Sequence, residues 1–263
     1  MKWKIENNCI SKLDVKGDNL ILPWGMETAD SSAFFSLEDG VGYRYQMISR
    51  EVDHTDQHYR GCYVVQMVEG KWKLNIEDKI LSEHSLHRTA KLLCLEDSHF
   101  MDFVMRFRFK KSYFPFAMID GKKFQHANTN IYYQYPVREA SLEGEKYQIT
   151  LNVEEVQCPE SLSPYMYVRD HEDEWVVHAR MLPVNWDKEV VKLCNPWAKT
   201  RPLPQVLSNF LLAVPAIKKS LWYRGEKKPF TNRIMRRINP LACPIVKLKQ
   251  GEELLWKVKV EIQ

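Results

Sequence analysis

The run Met101-Asp-Phe-Val-Met-Arg-Phe-Arg-Phe109 alternates without a break: Met101, Phe103, Met105, Phe107 and Phe109 fall on one side, Asp102, Val104, Arg106 and Arg108 on the other. Successive side chains of an extended chain point to opposite faces, so a period of two predicts a strand with one core face and one wet face. The same period recurs in Tyr43–Met47, Lys71–Ile76, Tyr147–Val153, Trp175–Met181 and Leu255–Ile262. Turn signals stand between these runs: Lys16–Asn19, Glu38–Gly40, Glu69–Gly70, Ile119–Lys122, Glu143–Gly144, Cys158–Pro159 and Gln250–Gly251. Asp39-Gly40 and Asp120-Gly121 are hairpin dipeptides, because a two-residue turn needs positive φ that glycine adopts without steric cost.

No helical segments alternate with the strands, which predicts an all-β fold: a two-layer antiparallel sandwich, one domain over residues 1–263. The C-terminal strand is expected to return to the same sheets. One stretch breaks the pattern. Between about 197 and 240, Pro202, Pro204, Pro215, Pro229 and Pro240 punctuate segments of short-helix length, which read as a helical insertion near the C-terminus.

A chain of 263 residues that is 44% hydrophobic can bury a large core. Its net charge of +4 demands neither nucleic acid nor a membrane. The distribution matters more than the sum: residues 199 to 237 hold ten Lys and Arg against Glu226 alone, so this basic insertion carries +9 and the rest −5. The N-terminus turns polar after five residues, unlike a secretory signal, and the longest mostly apolar stretch, 206–217, falls short of the roughly 20 residues of a membrane span. A cytoplasmic protein with reduced thiols is expected; none of its six cysteines forms a C-x-x-C pair. The phosphate-loop, dinucleotide, zincin and nucleophile-elbow motifs are all missing, which argues against those chemistries.

Three groups of residues remain as candidate sites. In Asp53-His-Thr-Asp-Gln-His58, an extended backbone would put His54, Asp56 and His58 on one face as two imidazoles and a carboxylate for a divalent metal, with His84 or His87 adding a ligand. A polar loop between strands ending near Arg50 and beginning near Tyr59 is the plainer reading, and no metal or other cofactor is expected. The segments Phe124–Pro136 and Tyr165–Trp175 combine rings with polar groups, the mixture a sugar site uses: ring faces stack on the C–H side of a pyranose while fixed polar groups read its hydroxyls. Here His126 and His171 are candidate proton-transfer groups with Asp170, Glu172, Asp173 or Glu174 as carboxylate partner, Glu172 foremost, and Asn128, Tyr132, Tyr135, Tyr167, Arg169 and Trp175 are candidate contacts to the ligand. In the basic insertion, Trp222 and Tyr223 stand among Arg224, Lys227 and Lys228, which suits an anionic carbohydrate, a phosphate or anionic lipid headgroups.

The length, the all-β alternation, the early segment Asp18-Asn-Leu-Ile-Leu-Pro-Trp-Gly25, the element His126-Ala-Asn128 and the ending Leu248–Val260 resemble the galactose-mutarotase-like superfamily. That resemblance implies a β-supersandwich with a carbohydrate on the concave face of one sheet and His126 in the sugar site. Epimerases of that superfamily carry a carboxylate base on a late strand, whereas residues 227–249 hold no Asp or Glu. Binding or modification of a larger, acidic glycan is therefore expected in place of aldose epimerisation.

The sequence reading is thus a cytoplasmic or membrane-peripheral protein of polysaccharide biosynthesis. It binds or modifies a carbohydrate, either a cell-surface glycan or a sugar-phosphate precursor. If it is catalytic, the chemistry is acid/base of epimerase or lyase type. The alternative is a non-catalytic binding or assembly protein at a membrane surface or on an anionic polymer. Nucleic acid is not the expected partner.

Overall fold

The structure is a computed structural model that describes residues 1–30, 35–38, 45–67, 70–100, 103–128, 132–183 and 246–263, together with short pieces at 192–193, 201–202 and 225–227 and residues 206, 210 and 214. The expected helical insertion at about 197–240 lies, apart from those pieces, outside the described residues. Two large antiparallel sheets are present, as the alternation predicts. Along the first sheet the strands run Lys2–Glu6, Cys9–Val15, Ile21–Asp30, Val104–Lys110, Glu174–Pro183, Leu162–His171, Tyr132–Tyr135 and Gly225–Lys227. Along the second they run Lys122–Gln125, Phe116–Ile119, Glu139–Glu143, Gln148–Gln157, Glu253–Ile262, Ser85–Glu96, Gly70–Ser82, His58–Met67 and Tyr45–His54. The C-terminal strand returns to the middle of the second sheet, between Gln148–Gln157 and Ser85–Glu96. No helix among the described residues is long and apolar enough to cross a membrane; strands are a separate matter.

Local sequence accounts for the tight connections. Asp120 and Gly121 take φ of 53° and 69° and close the hairpin between Phe116–Ile119 and Lys122–Gln125, the primed turn that matches strand twist. Asn7 and Asn8 do the same at 51° and 64° between the first two strands. Asparagine tolerates the left-handed region because its short polar side chain bonds locally.

The inner faces of both sheets make one apolar core. Phe103 sits edge-on between Trp72 and Trp256, with ring centroids 5.9 Å and 4.9 Å away, so a residue at the mouth of a first-sheet strand is clasped by two indoles of the second sheet. Met105, Phe107 and Phe109 continue that inner face. The opposite face departs from the wet surface that simple alternation implies: Val104, His178 and Arg180 are buried, and the side chains of Arg106 and Arg108 are each 29% exposed.

One charged cluster interrupts the core. Asp78 and Arg88 occupy inward positions directly opposite each other on neighbouring second-sheet strands, where the pattern otherwise places Trp72, Leu74, Ile76, Leu86, Ala90 and Leu92. The Arg88 guanidinium donates to Asp78 Oδ2 at 2.7 Å, to Thr28 Oγ1 of the first sheet at 2.8 Å, and to Glu38, whose other oxygen accepts from the Thr28 N–H at 2.8 Å. Burial pulls the guanidinium down to about 10, so it remains a cation at neutral pH. A buried cation stripped of water is tolerable only with such partners. Replacing Arg88 with Met strands two buried carboxylates and is expected to cost about 3–5 kcal/mol of stability, whereas the triple change Arg88→Met, Asp78→Leu, Glu38→Gln recovers most of the loss. Urea unfolding of both variants measures this, and a triple variant no more stable than the single one would contradict it.

Candidate functional site

The outer face of the first sheet carries a row of reactive side chains, one from each of four adjacent strands. Glu27 pairs in register with Arg106, Arg106 with His178, and His178 with Tyr167. Strands about 4.8 Å apart make this a continuous line of carboxylate, guanidinium, imidazole and phenol. The line arises because the core claims every second residue: Trp175, Val177, Ala179 and Met181 turn inward, leaving Glu174, Val176, His178 and Arg180 on the other face. Glu27 forms an ion pair with Arg106 at 2.5 Å. The Tyr167 hydroxyl lies 3.3 Å from His178 Nε2, their ring centroids are 4.2 Å apart, and the Arg180 guanidinium lies 5.4 Å from the Tyr167 ring.

His178 is 4% exposed, and its Nδ1 is buried without a hydrogen-bond partner among the described residues. Burial, reinforced by the charges of Arg106, Arg180, Arg169 and Arg108, holds its imidazole well below the usual histidine range. A neutral imidazole offers one donor and one acceptor nitrogen at physiological pH, and here it does so beside the guanidiniums of Arg106 and Arg180.

Beside this row the neighbouring strand bulges. Phe107 faces Met26 and Phe109 faces Ile21, so residues 22–25 loop out opposite Arg108. Trp24, at the crest, has φ of 54° and is 44% exposed, a costly backbone state for a large residue. Gly25 has no room for a side chain, because an added Cβ would lie 2.6 Å from the Leu22 carbonyl oxygen.

The residues singled out in the sequence fall into two groups. Tyr167 and Arg169 lie on the outer face, and backbone register puts Tyr132 opposite Arg169 on one side and Lys227 on the other. His126, Asn128, His171, Glu172 and Trp175 gather instead at the hairpin turn where Leu162–His171 meets Glu174–Pro183. His126 Nε2 is 3.0 Å from the Glu174 carbonyl oxygen and 3.1 Å from Asp170 Oδ1. Asp170, fully buried, accepts from the N–H groups of Ala127 and Asn128 at 3.2 Å and 3.1 Å, and Asn128 Oδ1 accepts from the Glu172 N–H at 3.0 Å. His171 Nδ1 is 3.0 Å from Glu174 Oε1, and the same carboxylate receives two hydrogen bonds from Arg108 at 2.7 Å and 3.1 Å. Trp175 fills the core, its indole N–H donating to the Phe114 carbonyl at 2.8 Å, and Tyr135 packs on the core with its hydroxyl accepting from Lys122 Nζ at 3.0 Å. Trp222, Arg224 and Lys228 lie outside the described residues.

The proposed metal trio does not share an extended face. Strands end at His54 and restart at His58, and between them the Thr55 hydroxyl accepts from the N–H groups of Gln57 and His58. His58 Nε2 is 2.6 Å from Glu77 Oε1. Among the described residues no three His, Cys, Asp or Glu side chains are grouped to hold a metal ion. Glu27, Arg106, His178 and Arg180 were not candidates in the sequence, because alternation alone assigns outward polar residues to solvent.

The chain matches no protein family and no curated protein. Solved structures similar to it include a candidate aldose 1-epimerase from Escherichia coli K12, at 10% identity and a TM-score of 0.41 over 99% of this chain and 80% of that one. An aldose epimerase homologue from C. elegans matches at 6% identity and a TM-score of 0.39 over 98% and 79% of the two chains. An α-galactosidase from Geobacillus stearothermophilus matches at 8% identity and a TM-score of 0.38, with 92% of this chain covering 30% of that one. The first two are, by name, an aldose epimerase and a homologue of one.

A depressed imidazole has a consequence for stability. The unfolded chain protonates His178 near pH 6.5 and the folded one only well below that, so its contribution is fully present above about pH 6.5 and is lost as pH falls through that value, by up to about 1.4 kcal/mol per pH unit. Urea unfolding between pH 7.5 and 5.5 is expected to show a steeper loss for the parent protein than for His178→Gln. Equal slopes would mean that His178 binds protons as readily in the folded state as in the unfolded one.

Proposed function

We propose that this protein binds a carbohydrate on the outer face of its first sheet and modifies it by acid/base chemistry of epimerase or lyase type. The observation that carries this reading is the row Glu27, Arg106, His178 and Tyr167, in which two proton-transfer groups flank a fixed guanidinium. Glu27 and His178 stand two strands apart, roughly 10 Å, which leaves space for one pyranose over Arg106. The Tyr167 hydroxyl takes a proton on one side of the ring as it passes its own to Nε2 of neutral His178, or returns it by the reverse path, and Glu27, steadied by Arg106, serves the other. Trp24 supplies the exposed ring on which the sugar's apolar face stacks, and its strained backbone fits a side chain held for contact with a ligand.

In this reading Arg169 extends the binding face along the next row, on the strand that backbone register pairs with Tyr132–Tyr135. His126, Asn128, His171 and Glu172 act as positioning residues: they pin the hairpin turn and its Glu174, which in turn aims Arg108. The ligand is a glycan of the cell surface or a phosphorylated sugar precursor of one, and the basic stretch of sequence that holds Trp222, Arg224, Lys227 and Lys228 supplies cations for it or for a membrane surface. The protein acts in the cytoplasm.

A glycan and sugar-nucleotide array followed by titration calorimetry tests the reading. Trp24→Ala is expected to weaken sugar binding by about 1–2 kcal/mol, roughly five- to thirtyfold, without changing the melting temperature, because the indole is exposed. With a substrate in hand, His178→Asn and Tyr167→Phe are each expected to lower turnover by about 10²–10⁴ while the sugar still binds. Binding without turnover by the parent protein would leave the binding or assembly role in place of catalysis, and the absence of any sugar ligand would remove the reading.

A further inference from the structure

We infer that the ligand of the first-sheet face carries an anionic oxygen group, a carboxylate or a phosphate, seated among Arg106, Arg169 and Arg180 and hydrogen-bonded by Nδ1 of His178. The inference rests on the carbohydrate reading and adds the class of sugar. Register sets the geometry. Arg106 lies directly across from His178, Arg180 is two residues further along the His178 strand on the same face, and Arg169 faces Val176 one step the other way. Arginine stays charged at any physiological pH, so His178 is enclosed by permanent cations on three sides.

An imidazole among cations is costly only when protonated. Kept neutral, it adds no repulsion and still offers one N–H. With the Tyr167 hydroxyl donating to Nε2 across 3.3 Å, that N–H is at Nδ1, the buried atom with no partner among the described residues. Leaving such a donor unpaired costs on the order of a hydrogen bond, which an acceptor brought by the ligand restores. Neutral hydroxyls would satisfy the imidazole equally well, but they bring no negative charge to a stretch of sheet where Arg106, Arg169 and Arg180 neighbour one another. A carboxylate or phosphate matches both, because planar guanidinium forks bind such groups in pairs of parallel hydrogen bonds.

Glu27 and Glu174 fit the same picture. Each engages one arginine, Glu27 with Arg106 and Glu174 with Arg108 in a two-pronged contact, and so fixes the plane of the fork. Arg106 and Arg108 keep part of their side-chain surface in water, 29% each, so a ligand anion meets these two guanidiniums from the solvent side.

Calorimetry on the full chain with glucuronate, glucose 6-phosphate, glucose and inorganic phosphate tests the inference, or with the acidic and neutral forms of whichever sugar the array identifies. An acidic sugar is expected to bind about tenfold or more tightly than its neutral counterpart, with the advantage shrinking as sodium chloride is raised. Which acid wins tells carboxylate from phosphate. Arg169→Gln, at a half-buried position, and Arg180→Gln, each checked for an unchanged melting temperature, should each erase the difference between acidic and neutral forms. Equal affinities for acidic and neutral sugars in the parent protein would overturn the anion site and leave the carbohydrate reading standing. Inorganic phosphate binding as tightly as the sugar phosphate, with no sugar bound, would keep the anion site and overturn the carbohydrate reading.

Discussion

The fold depends on two sheets being held face to face at a set position, and the Arg88 guanidinium is the directional part of that hold. Apolar burial drives the layers together but is nearly indifferent to small slides, since methyl and ring surfaces interchange at little cost. A guanidinium that must reach Asp78 on its own sheet, Thr28 on the other and Glu38 beyond it has few geometries that satisfy it. In a buried setting a missed hydrogen bond to a charge is expensive, so the cluster penalises misalignment that the core alone would tolerate. Phe103 between Trp72 and Trp256 adds shape to the same junction.

That alignment matters for the outer face because Thr28 and Glu27 are adjacent residues of one strand. Thr28 points into the core and receives the Arg88 contact; Glu27 points out and meets Arg106. Fixing the register of this strand from inside therefore fixes the first member of the outer row. At its other end the Val104–Lys110 strand is held by Arg108 and Glu174, and Glu174 is in turn held through its backbone by His126. The row of Glu27, Arg106, His178 and Tyr167 thus spans strands tied by polar contacts at both ends. A face that must place charged groups to within fractions of an ångström needs support of that kind.

Much of the fold was legible in the sequence, since a period of two is a direct image of a sheet between core and exterior. The runs at Lys71–Ile76, Trp175–Met181 and Leu255–Ile262 lie within strands, and Asp120-Gly121 makes the hairpin its φ preference demands. The Asn7-Asn8 turn escaped notice because asparagine announces the left-handed region less loudly than glycine, and the bulge at Trp24 did so because it interrupts a strand without a change in composition. The site was harder to read for a physical reason. Alternation separates inside from outside but cannot tell solvent from a buried polar face, so His178 and Arg180 looked like any outward pair. Local aromatic and histidine clustering drew attention to 124–136 and 165–175, where the clustering marks a well-bonded hairpin end as much as a ligand face.

The four guanidiniums also explain why the imidazole stands where it does. A lysine or a second carboxylate in its place would either add to the positive field or be neutralised by it, and would lose the pairing with Tyr167. A neutral histidine is an uncharged group that keeps both a donor and an acceptor under that field, one turned toward the phenol and the other buried without a partner among the described residues. Burial first and the arginines second set the protonation state, and the protonation state decides which hydrogen bond is offered. Specificity on this face would then follow from charge as much as from shape, with the sheet serving to hold like charges closer than they would otherwise settle.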